Sequence, residues 1–490
     1  MTYPYPLDAD GINAVIDLLT NDYPAITSRI QLNLPSHDLG RPIYALRIGV
    51  AEDKHGVLFL GGLHARELVN PDLLLAFATQ LCDAYTRGTE LRFGPVTHAP
   101  GIAKTLVEAL TLFIVPLVNP DGRIWVQTAD PGWRKNRRVS TGTTCRGVDV
   151  NRNFDFLWAE GIGTSTSPCD PAVYRGPSPE SDKETKNVKW LLDTFPNIGC
   201  MLDVHSYSQY VLYPWGDAPN QSSDPTMSFQ NHSWDGMRRN PDYGEYMPSS
   251  DERRYRRTAE AVANAIGAVR GTVYEPTQTY FMDFYGPGTT YPTSATSNDY
   301  AYSRHFTEEG TRVWAFAIET GTEFQPSDPD VVAQWITEVS NGIVTFLLRC
   351  MCPFDELLAE IFGDDAETVS SALRKARDEK LEGSSVGRRL VDLLDENGAE
   401  ILMIIHTDDK LRAIVTEVLT DVADLIMTFQ QGKRVTVEPS LVRRINAAAR
   451  QLNRQASPQL KSAIRETRAV LRQFEGSTIP QGLKKAQTSS

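Results

Sequence analysis

A histidine and a glutamate three positions apart follow the first strongly apolar run of the chain. His64 and Glu67 come after residues 57–60, which predict a buried strand, and Gly61 and Gly62 allow a sharp turn at its end. An imidazole nitrogen and a carboxylate oxygen at this spacing can point at one spot. Catalytic zinc sites use such ligands and keep a fourth position for water. A surface pair or a helix-capping pair would show the same spacing, so this motif alone leaves both interpretations open.

Two further side chains of the same chemistry stand where predicted strands end. His205 follows the apolar residues 200–204, and Glu319 follows the apolar residues 313–318. In α/β sheets, sites form at the carboxyl ends of the strands, where distant parts of the chain meet. A carboxylate at the end of a fully apolar strand is costly to bury unless it is used, which makes Glu319 the strongest single candidate. Histidine and glutamate at three strand ends therefore predict one site.

The elements that must position these side chains alternate along the chain. Apolar spacing predicts strands near residues 44–50, 57–62, 111–118, 200–204 and 313–318. Helices are predicted near residues 8–20, 71–85, 103–110, 182–195, 251–270 and 329–348. A turn is expected at residues 119–122, followed by a long functional loop region over about 123–180. The alternation indicates an α/β fold with a mostly parallel mixed sheet flanked by helices.

Composition argues against several other classes of function. The 490-residue chain has 23% charged and 41% hydrophobic residues, which is typical of a soluble globular protein with a large core. Its net charge of −13 argues against general nucleic-acid binding and against an acidic membrane surface as a partner. No apolar run approaches the roughly 20 residues of a membrane span. The first residues lack the charged and apolar regions of a signal peptide, so the sequence as written predicts a cytoplasmic protein.

The composition changes from about residue 353, where leucine, alanine, glutamate and arginine dominate. We therefore predict a catalytic domain over residues 1–350, an all-α accessory domain over 351–475 and a disordered tail over 476–490. Accessory helices are predicted near residues 366–380, 386–396, 409–430, 439–454 and 457–474. Because no catalytic constellation is visible in this region, we expect a small helical bundle, with self-association or a protein partner as the alternative role.

Seven motifs occur in the order found in one known family. They are His-Ala-Arg-Glu (64–67), Asn-Pro-Asp-Gly (119–122), Trp-Arg-Lys (133–135), Gly-Val-Asp-Val-Asn-Arg-Asn (147–153), His-Ser-Tyr-Ser-Gln (205–209), Tyr291 and Glu319. On these motifs the chain resembles the zinc metallocarboxypeptidases of the carboxypeptidase A type, peptidase family M14. The resemblance covers roughly residues 5–350 and says nothing about the helical C-terminal region.

The resemblance implies one zinc ion per chain and a set of residues around it. The implied ligands are His64, Glu67 and His205. Zinc in such a site lowers the pKa of its bound water to about 7 and polarises the scissile carbonyl group. Glu319 is the implied general base, and Arg134 the implied cation that stabilises the charge on the carbonyl oxygen. Asp149 is implied to orient His64 from its far side.

The resemblance also implies a peptide substrate with a free C-terminus. Asn151 and Arg152 would bind the terminal carboxylate, because a guanidinium group matches a carboxylate bidentately and an amide adds a donor. Tyr291 would close over the substrate from a flexible loop, and Arg66 belongs to the same implied binding set. These residues imply removal of single C-terminal residues and not internal cleavage.

The preferred side chain is implied by Asn298, seven positions after the closing tyrosine. An apolar residue there favours apolar and aromatic side chains, and an acidic residue favours lysine and arginine; asparagine does neither. Gly216, Gly286 and Ala317 resemble other pocket positions and are small, and Thr293 adds a hydroxyl group. We expect a roomy, neutral and somewhat polar pocket that prefers large neutral side chains over charged ones.

Cys145 and Cys169 fall where many secreted relatives have a disulfide bond. A bridge there would stabilise the loop by about 3 kcal/mol in the loop-entropy description, and it would imply an oxidising compartment. The missing signal peptide implies the cytoplasm instead, where both thiols would be free. The sequence therefore leaves the localisation open between an exported and a cytoplasmic protein.

Two other functions remain compatible with the sequence. The same site could hydrolyse another amide, in a cell-wall peptide or an acylated amino acid, because Asn151 and Arg152 would still bind a carboxylate. The third interpretation is a non-catalytic binding module that uses the helical region as its interaction surface. The presence of Glu319 beside a full ligand set argues against that module, since binding alone does not need the base.

Overall fold

The computed structural model describes residues 4–283, 286–307, 310–351, 358, 361–376, 381 and 383–489. The chain divides into two compact units, Met1–Cys350 and Met351–Ser490. Each unit contains its own buried apolar residues and is described by itself.

Eight strands of the first unit form one sheet. Its strands, in chain order and together with those of two small ribbons, are β1 (Thr27–Gln31), β2 (Tyr44–Ile48), β3 (His55–Gly61), β4 (Leu91–Phe93), β5 (Val96–His98), β6 (Leu110–Val115), β7 (Ile198–His205), β8 (Tyr210–Tyr213), β9 (Asn220–Gln221), β10 (Glu245–Tyr246), β11 (Glu275–Gln278) and β12 (Trp314–Glu319). The sheet order is β1-β2-β6-β3-β7-β12-β8-β11. The central strands β6, β3, β7 and β12 are parallel, whereas β2 and β8 run antiparallel to their central neighbours. The prediction of a mostly parallel mixed sheet is therefore confirmed.

Helices flank this sheet. The described α-helices of the first unit are α1 (Ala9–Asp22), α2 (Val69–Arg87), α3 (Pro100–Ala109), α4 (Pro120–Thr128), α5 (Lys183–Thr194), α6 (Ser249–Arg270), α7 (Ser297–Ser303) and α8 (Pro329–Cys350). The central strands are buried along almost their whole length, because helices cover both faces of the sheet. Such strands are continuous apolar runs, which is why the sequence predicts them, whereas β11 contains Pro276 at the sheet edge and was not predicted.

The turn predicted at residues 119–122 is the start of α4. The Asn119 side chain accepts a hydrogen bond from the Gly122 N–H (2.9 Å), and Pro120 occupies the first helical turn. Asparagine and proline favour helix starts as strongly as they favour turns. The long loop region therefore begins only after Thr128.

By length and composition alone, α8 could cross a membrane. It includes the buried residues Val339, Ile343, Phe346 and Leu347, and it packs against α2 and α6. An apolar helix that packs in this way is the usual core helix of a layered domain, so its hydropathy is weak evidence for a membrane span.

The second unit is helical in its described part. Its α-helices are α9 (Ala366–Ala376), α10 (Ser385–Thr407), α11 (Asp409–Gln430), α12 (Pro439–Gln455), α13 (Pro458–Leu471) and α14 (Ile479–Ser489). The helix predicted over residues 366–380 is described only as far as Ala376. One buried cluster includes Leu393, Leu411 and Leu460. The prediction of an all-α C-terminal region is confirmed.

The expectation of a disordered tail over residues 476–490 differs from the structure. Most of this segment is α14, in which Ile479, Leu483 and Ala486 are buried. Spaced four and three positions apart, these residues lie on one helix face. Ile479 and Leu483 pack in a cluster that includes Phe474. The surrounding glycine, serine and proline obscured this short apolar pattern in the sequence.

Candidate active site

Three strand ends of the central sheet deliver the predicted side chains to one edge. β3 leads into the turn that carries His64 and Glu67, β7 ends at His205, and β12 ends at Glu319. In the parallel register of β7 and β12, His205 and Glu319 are direct neighbours. Gly62 has a left-handed backbone (φ 62°), which lets the chain leave β3 sharply. The fold therefore brings together residues that are far apart in the sequence.

The two histidines and the glutamate direct their ligand atoms at one point. His64 Nδ1 lies 2.7 Å from Glu67 Oε1, and His205 Nδ1 lies 3.1 Å from Glu67 Oε2. The two Nδ1 atoms are 3.1 Å apart. Zinc bonds of about 2.0–2.2 Å place the ligand atoms of one ion roughly 3–3.5 Å apart. The donor types and the two 3.1 Å separations therefore fit a zinc ion, and all three side chains are buried.

Each histidine has a carboxylate beside its other ring nitrogen. His64 Nε2 lies 3.2 Å from Asp149 Oδ1, and His205 Nε2 lies 3.0 Å from Asp203 Oδ2. Carboxylates in this position fix the ring and increase the basicity of a metal-binding histidine. Sequence reasoning identified Asp149 but missed Asp203. The sequence feature that could have identified Asp203 is an acidic residue inside an apolar strand. It lies two positions before His205 and so on the same strand face.

The charges of this cluster shift the pKa values of its members. Burial would raise the pKa of Glu67, but His64 and His205 hold it well below its usual range. Burial would lower the pKa of His205, whereas Asp203 and Glu67 raise it well above its usual value. Glu67 is therefore ionised, which is the form in which a carboxylate binds a metal.

Glu319 lies beside the cluster with its backbone fixed on both sides. Its carbonyl accepts the Gln209 N–H (2.9 Å), and the next residue, Thr320, donates to the His205 carbonyl (2.7 Å). The side chain is partly exposed yet closely surrounded by protein atoms. Burial raises the pKa of Glu319 to about 8, although His205 lowers it. A carboxyl group with a pKa near neutrality can accept a proton and return it.

Arg134 is held by the carboxylate that also faces His64. Its Nε donates to Asp149 Oδ2 (3.1 Å), and its Nη2 lies 3.0 Å from the same oxygen. Burial would raise the pKa of Asp149, but Arg134 and His64 hold it well below its usual range. The Arg134 carbonyl accepts the Ala65 N–H (2.9 Å), which ties this loop to the turn after β3.

Asn151 and Arg152 lie on the other side of His205. Asn151 Nδ2 lies 3.3 Å from His205 Nε2, and its Oδ1 accepts the Ser297 N–H (2.8 Å). Arg152 is buried, and its Nη2 donates to the Tyr291 hydroxyl (2.8 Å). The guanidinium group predicted to bind a terminal carboxylate therefore already has the predicted closing tyrosine as its partner.

Backbone hydrogen bonds fix the segment that carries Tyr291 and Thr293. Tyr291 N–H donates to the Tyr280 carbonyl (2.9 Å), and Thr293 N–H donates to the Gly216 carbonyl (2.8 Å). Tyr291 packs against a buried apolar cluster of Tyr210, Leu212, Met282 and Ala317.

The residues predicted to form the polar part of a side-chain pocket are closely packed. Asn298 Nδ2 donates to Thr279 Oγ1 (3.3 Å). Gly216 N–H donates to Asp299 Oδ2 (3.0 Å), and burial raises the pKa of Asp299 to about 7. A side chain at Gly216 would collide with both Thr293 and Asp299. Gly286, another predicted pocket residue, has open space around it, so no contact places it beside Gly216 or Thr293.

Arg66 lies on the rim formed by the turn after β3. Its guanidinium group stacks over the Phe324 ring at 4.1 Å, and Phe324 also contacts the Tyr207 ring edge-on at 4.7 Å. Arg66 Nη1 lies 3.4 Å from the Gly132 carbonyl. This predicted substrate-binding residue therefore faces the loop that carries Arg134.

Cys145 and Cys169 form a disulfide bond with their Cα atoms 5.1 Å apart. The bond joins two parts of the long loop region, which also contains Arg134, Asn151 and Arg152. The predicted pairing is therefore present in the structure.

A second set of metal-ligand side chains lies elsewhere in the first unit and was not anticipated. His37 Nε2 lies 3.3 Å from Asp182 Oδ1 and 3.6 Å from Glu184 Oε2. Asn136 Nδ2 donates to both of these oxygens (2.8 and 2.9 Å). His37 Nε2 accepts the Lys183 N–H (3.0 Å). Protein donors are bonded to these three atoms, so the set forms a hydrogen-bond network.

Comparison with known proteins agrees with this geometry. The family described as zinc carboxypeptidase, peptidase M14, matches residues 12–338. Mast cell carboxypeptidase A of Rattus norvegicus is 36% identical over 211 residues, which are 43% of this chain and 47% of that protein. Carboxypeptidase B of Homo sapiens is 31% identical over 299 residues, which are 60% of this chain and 59% of that protein. The chain thus spans about half to three-fifths of the length of these curated relatives.

Solved structures share the fold of the first unit. Thrombin-activatable fibrinolysis inhibitor matches with a TM-score of 0.53 and 22% identity, over 69% of this chain and 73% of that chain. Carboxypeptidase A from Helicoverpa armigera matches with a TM-score of 0.53 and 22% identity, over 70% and 73%. At this identity the likeness shows the fold alone. The family match covers most of the chain, and the chain therefore belongs to the zinc carboxypeptidase family.

Proposed function

We propose that this protein is a zinc-dependent carboxypeptidase that removes single C-terminal residues from peptides. The observation that carries the proposal is the convergence of His64, Glu67 and His205 on one point, with Glu319 at the neighbouring strand end. Membership in the family supports the reaction class. The buried Arg152 beside this cluster supports a substrate that ends in a carboxylate.

One zinc ion would be held by His64, Glu67 and His205. When bound, it would lower the pKa of a water molecule to about 7 and polarise the scissile carbonyl group. The two histidines would offer Nδ1 as the ligand atom, because Asp149 and Asp203 lie beside Nε2. Each outer carboxylate would thus keep its ring in one tautomer and one orientation.

Glu319 would act as the general base of the reaction. It would take a proton from the attacking water and return it to the leaving amine. Burial raises its pKa to about 8, which favours the protonated form that would act as the acid in the second half of the reaction. A cation bound nearby would lower this pKa towards neutrality and so restore the base form.

Arg134 would stabilise the negative charge that develops on the carbonyl oxygen. Its Nε and Nη2 already face Asp149, so the substrate would receive a hydrogen bond from the remaining guanidinium N–H groups. Because Asp149 also faces His64, this one carboxylate would fix the distance between the cation and the metal ligand.

Asn151 and Arg152 would bind the terminal carboxylate of the substrate. Arg152 is buried, so a bound carboxylate would form a charge-assisted pair away from bulk water. The carboxylate would take over the hydrogen bond that Arg152 now makes to Tyr291, and the tyrosine would then close over the ligand. A peptide with an amidated C-terminus lacks the charge that this pair requires.

The pocket would accept large neutral side chains in preference to charged ones. The buried apolar cluster of Tyr210, Leu212, Met282 and Ala317 would form its wall, and the uncharged Asn298 would form its polar side. A lysine or arginine would bury its charge there without a fully ionised partner, since burial raises the pKa of Asp299 to about 7.

The disulfide bond supports an oxidising compartment as the site of action, in place of the cytoplasm. The role of the helical unit stays a prediction, with self-association or a protein partner as the candidates. Neither proposal alters the chemistry of the first unit.

The test is mass spectrometry of peptide products. Peptides ending in each amino acid, prepared as free acids and as C-terminal amides, would be incubated with zinc-loaded protein and with its Glu319→Gln variant. We expect loss of single residues from the acids, intact amides, and almost no product with the variant. Cleavage confined to branched or D-residue peptides, or to acylated amino acids, would replace the proposal with another amide hydrolysis. Zinc-bearing protein that cleaves none of these would indicate a binding module.

A further inference from the structure

The last part of the chain carries a charge opposite to that of the whole protein. Residues 431–490 contain 12 lysine and arginine residues and 3 aspartate and glutamate residues, whereas the complete chain contains 49 and 62. The helices α12, α13 and α14 lie within this segment. A basic block in an acidic chain favours contact with an anionic partner.

The helices α12 and α13 lie side by side, and one hydrogen bond marks where they meet. Arg468 Nε donates to Asn446 Oδ1 (2.8 Å). Residues 456–457 alone separate the two helices, and a connection this short joins antiparallel neighbours. Each step towards the end of α12 is therefore matched by a step towards the start of α13.

Basic residues face one another on both sides of this contact. On α12, arginines lie three positions before Asn446 and four positions after it. On α13 and the 3-10 turn that continues it, arginines lie three positions before Arg468 and four positions after it. Residues at these spacings share one side of a helix, and each helix has one more basic residue a turn closer to the connection. Together they form two facing rows, the basic face, which consists of Arg443, Arg450, Arg454, Lys461, Arg465 and Arg472.

The basic face is turned towards solvent. Its five arginines are exposed, and Lys461 is partly buried. The buried residues of the same helices, such as Leu441 and Leu460, point away from it and pack in apolar clusters of the helical unit. The six cations are therefore accessible to a partner.

Among the described residues, no carboxylate forms an ion pair with the basic face. Glu466 of α13 pairs with Arg389 of α10 (2.8 Å), and Arg444 of α12 pairs with Asp421 of α11. Protein surfaces ordinarily mix both signs of charge, because a field of one sign repels itself. Six neighbouring cations without a counter-charge therefore indicate a surface that binds an anion.

We propose that the basic face binds an extended acidic segment of another protein. An extended chain advances about 3.3 Å per residue and points successive side chains to opposite sides, so its carboxylates meet the two rows in turn. The four-residue step within each row is roughly 6 Å, close to two residues of such a chain. Guanidinium groups match carboxylates bidentately. This binding is independent of the proposed carboxypeptidase reaction.

Two other anionic partners fit the basic face less well. Single-stranded nucleic acids are held by stacking on aromatic side chains, and the aromatic residue of this segment, Phe474, is buried. Helices that bind membranes insert apolar side chains. The large hydrophobic residues that are exposed in the described part of the chain all belong to the first unit.

Fluorescence anisotropy with the full chain tests the proposal. The probes are a labelled decapeptide of glutamate and a matched decapeptide of glutamine, both with a C-terminal amide so that the proposed active site does not cleave them. We expect the glutamate peptide to bind at least about tenfold more tightly at low salt, with a smaller difference at high salt. Equal binding of the two peptides would overturn the inference, whatever the result of the peptidase assay.

Neutralising facing arginines locates the binding. Arg450→Gln with Arg465→Gln should weaken binding of the glutamate peptide by about five- to thirtyfold, since one exposed ion pair contributes up to about fivefold. Arg443→Gln with Arg472→Gln removes the facing pair at the other end and provides the test if the first variant folds poorly. Unchanged binding in either folded variant would contradict the assignment to the basic face.

A matched control separates the basic face from net charge. Arg87→Gln with Arg92→Gln removes the same charge from two exposed arginines of the first unit. This variant should bind the glutamate peptide as wild type does. Equal weakening in the control and in the Arg450 and Arg465 variant would mean a general charge effect and would refute the inference.

Three further measurements test the class of partner. Single-stranded DNA and phosphatidylserine vesicles should bind more weakly than the glutamate peptide. Tighter binding of either one, lost in the Arg450 and Arg465 variant, would replace the acidic segment with that partner. Light scattering should show no self-association that depends on these two arginines. Such self-association would mean that a second copy of this chain occupies the basic face, and it would overturn the proposal.

Discussion

Two places in the first unit gather histidine and acidic side chains, and they differ in what occupies the ligand atoms. In the cluster of His64, Glu67 and His205, the inward atoms face mainly one another, and carboxylates hold the outer nitrogens of the two rings. In the network of His37, Asp182 and Glu184, protein N–H groups are bonded to the facing atoms themselves. Ligand types are the same, but among the described residues only the first set has two histidine nitrogens that face one carboxylate without a backbone N–H bonded to either of them.

The two sets differ in whether the nitrogen that faces the carboxylates is already bonded to a backbone N–H. A histidine held from outside by a carboxylate has a fixed ring and an available inner nitrogen. A histidine whose facing nitrogen accepts a backbone N–H would have to lose that bond before it could bind a metal.

The largest difference is expected when one histidine of each set is removed. His205→Ala should lose the bound zinc and the peptide cleavage together, because two ligands do not make a stable catalytic site. His37→Ala should keep about one zinc ion per chain and retain activity. Elemental analysis after dialysis measures both. Zinc loss in His37→Ala with retention in His205→Ala would reverse the assignment.

We expect Glu319, at the strand end beside the first cluster, to be needed for catalysis but not for metal binding. Glu319→Gln should retain zinc but lower kcat by roughly 10²–10⁴-fold, the range for loss of a general base. The measurement is steady-state kinetics on a single peptide with the zinc content determined in parallel. An unchanged kcat in zinc-loaded Glu319→Gln would exclude this residue as the base.

A smaller effect is expected when the outer carboxylates are neutralised. Asp203→Asn should weaken zinc binding by about 10–100-fold, because His205 loses its orienting partner. Asp182→Asn in the second network should leave zinc affinity unchanged and lower stability instead, since Asp182 Oδ2 accepts from Arg138 (2.9 Å). Competition with a chelator gives the affinities. Equal zinc affinity in Asp203→Asn and wild type would remove Asp203 from the metal site.

The smallest effect concerns the pH dependence of the second network. Burial raises the pKa of Glu184 to about 7, well above its ordinary value of 4.5. The folded state therefore holds this proton more tightly than the unfolded state does, and stability should fall as pH rises from 4.5 to 7.

Removal of the Glu184 carboxyl group tests whether stability falls as pH rises. In Glu184→Gln, the decrease in unfolding free energy between pH 5 and pH 8 should be smaller than in wild type by about 2 kcal/mol. Urea unfolding at the two pH values gives the comparison. A larger decrease in the variant than in wild type would mean that the pKa of Glu184 is not raised.

Sequence reasoning reached the first cluster because its residues stand at the ends of apolar strands. His205 and Glu319 follow runs that are buried on both faces of the sheet, and such runs are visible without a structure. Asp203 was missed because it lies inside one of these runs, where the strand pattern hides a single acidic residue. The second network was missed because His37 and Glu184 are far apart in the sequence and neither follows a predicted strand.

Asn298 and α14 show two other limits of prediction from sequence. The residue type of Asn298 is visible in the sequence, but the direction of its carboxamide depends on Thr279 and Tyr213, which only the fold brings near. The short apolar pattern of α14 was outweighed by the glycine and serine around it. Local composition predicts an element well when it is a long, continuous apolar run, and poorly when a few contacts decide whether it forms.

Anomalous diffraction at the zinc absorption edge would show directly whether His64, Glu67 and His205 hold the zinc ion. Crystals of zinc-loaded protein should show one strong peak between His64, Glu67 and His205, and no peak at His37. A peak at His37 would contradict the proposed zinc site. So would the absence of a peak between the three proposed ligands in protein that contains zinc.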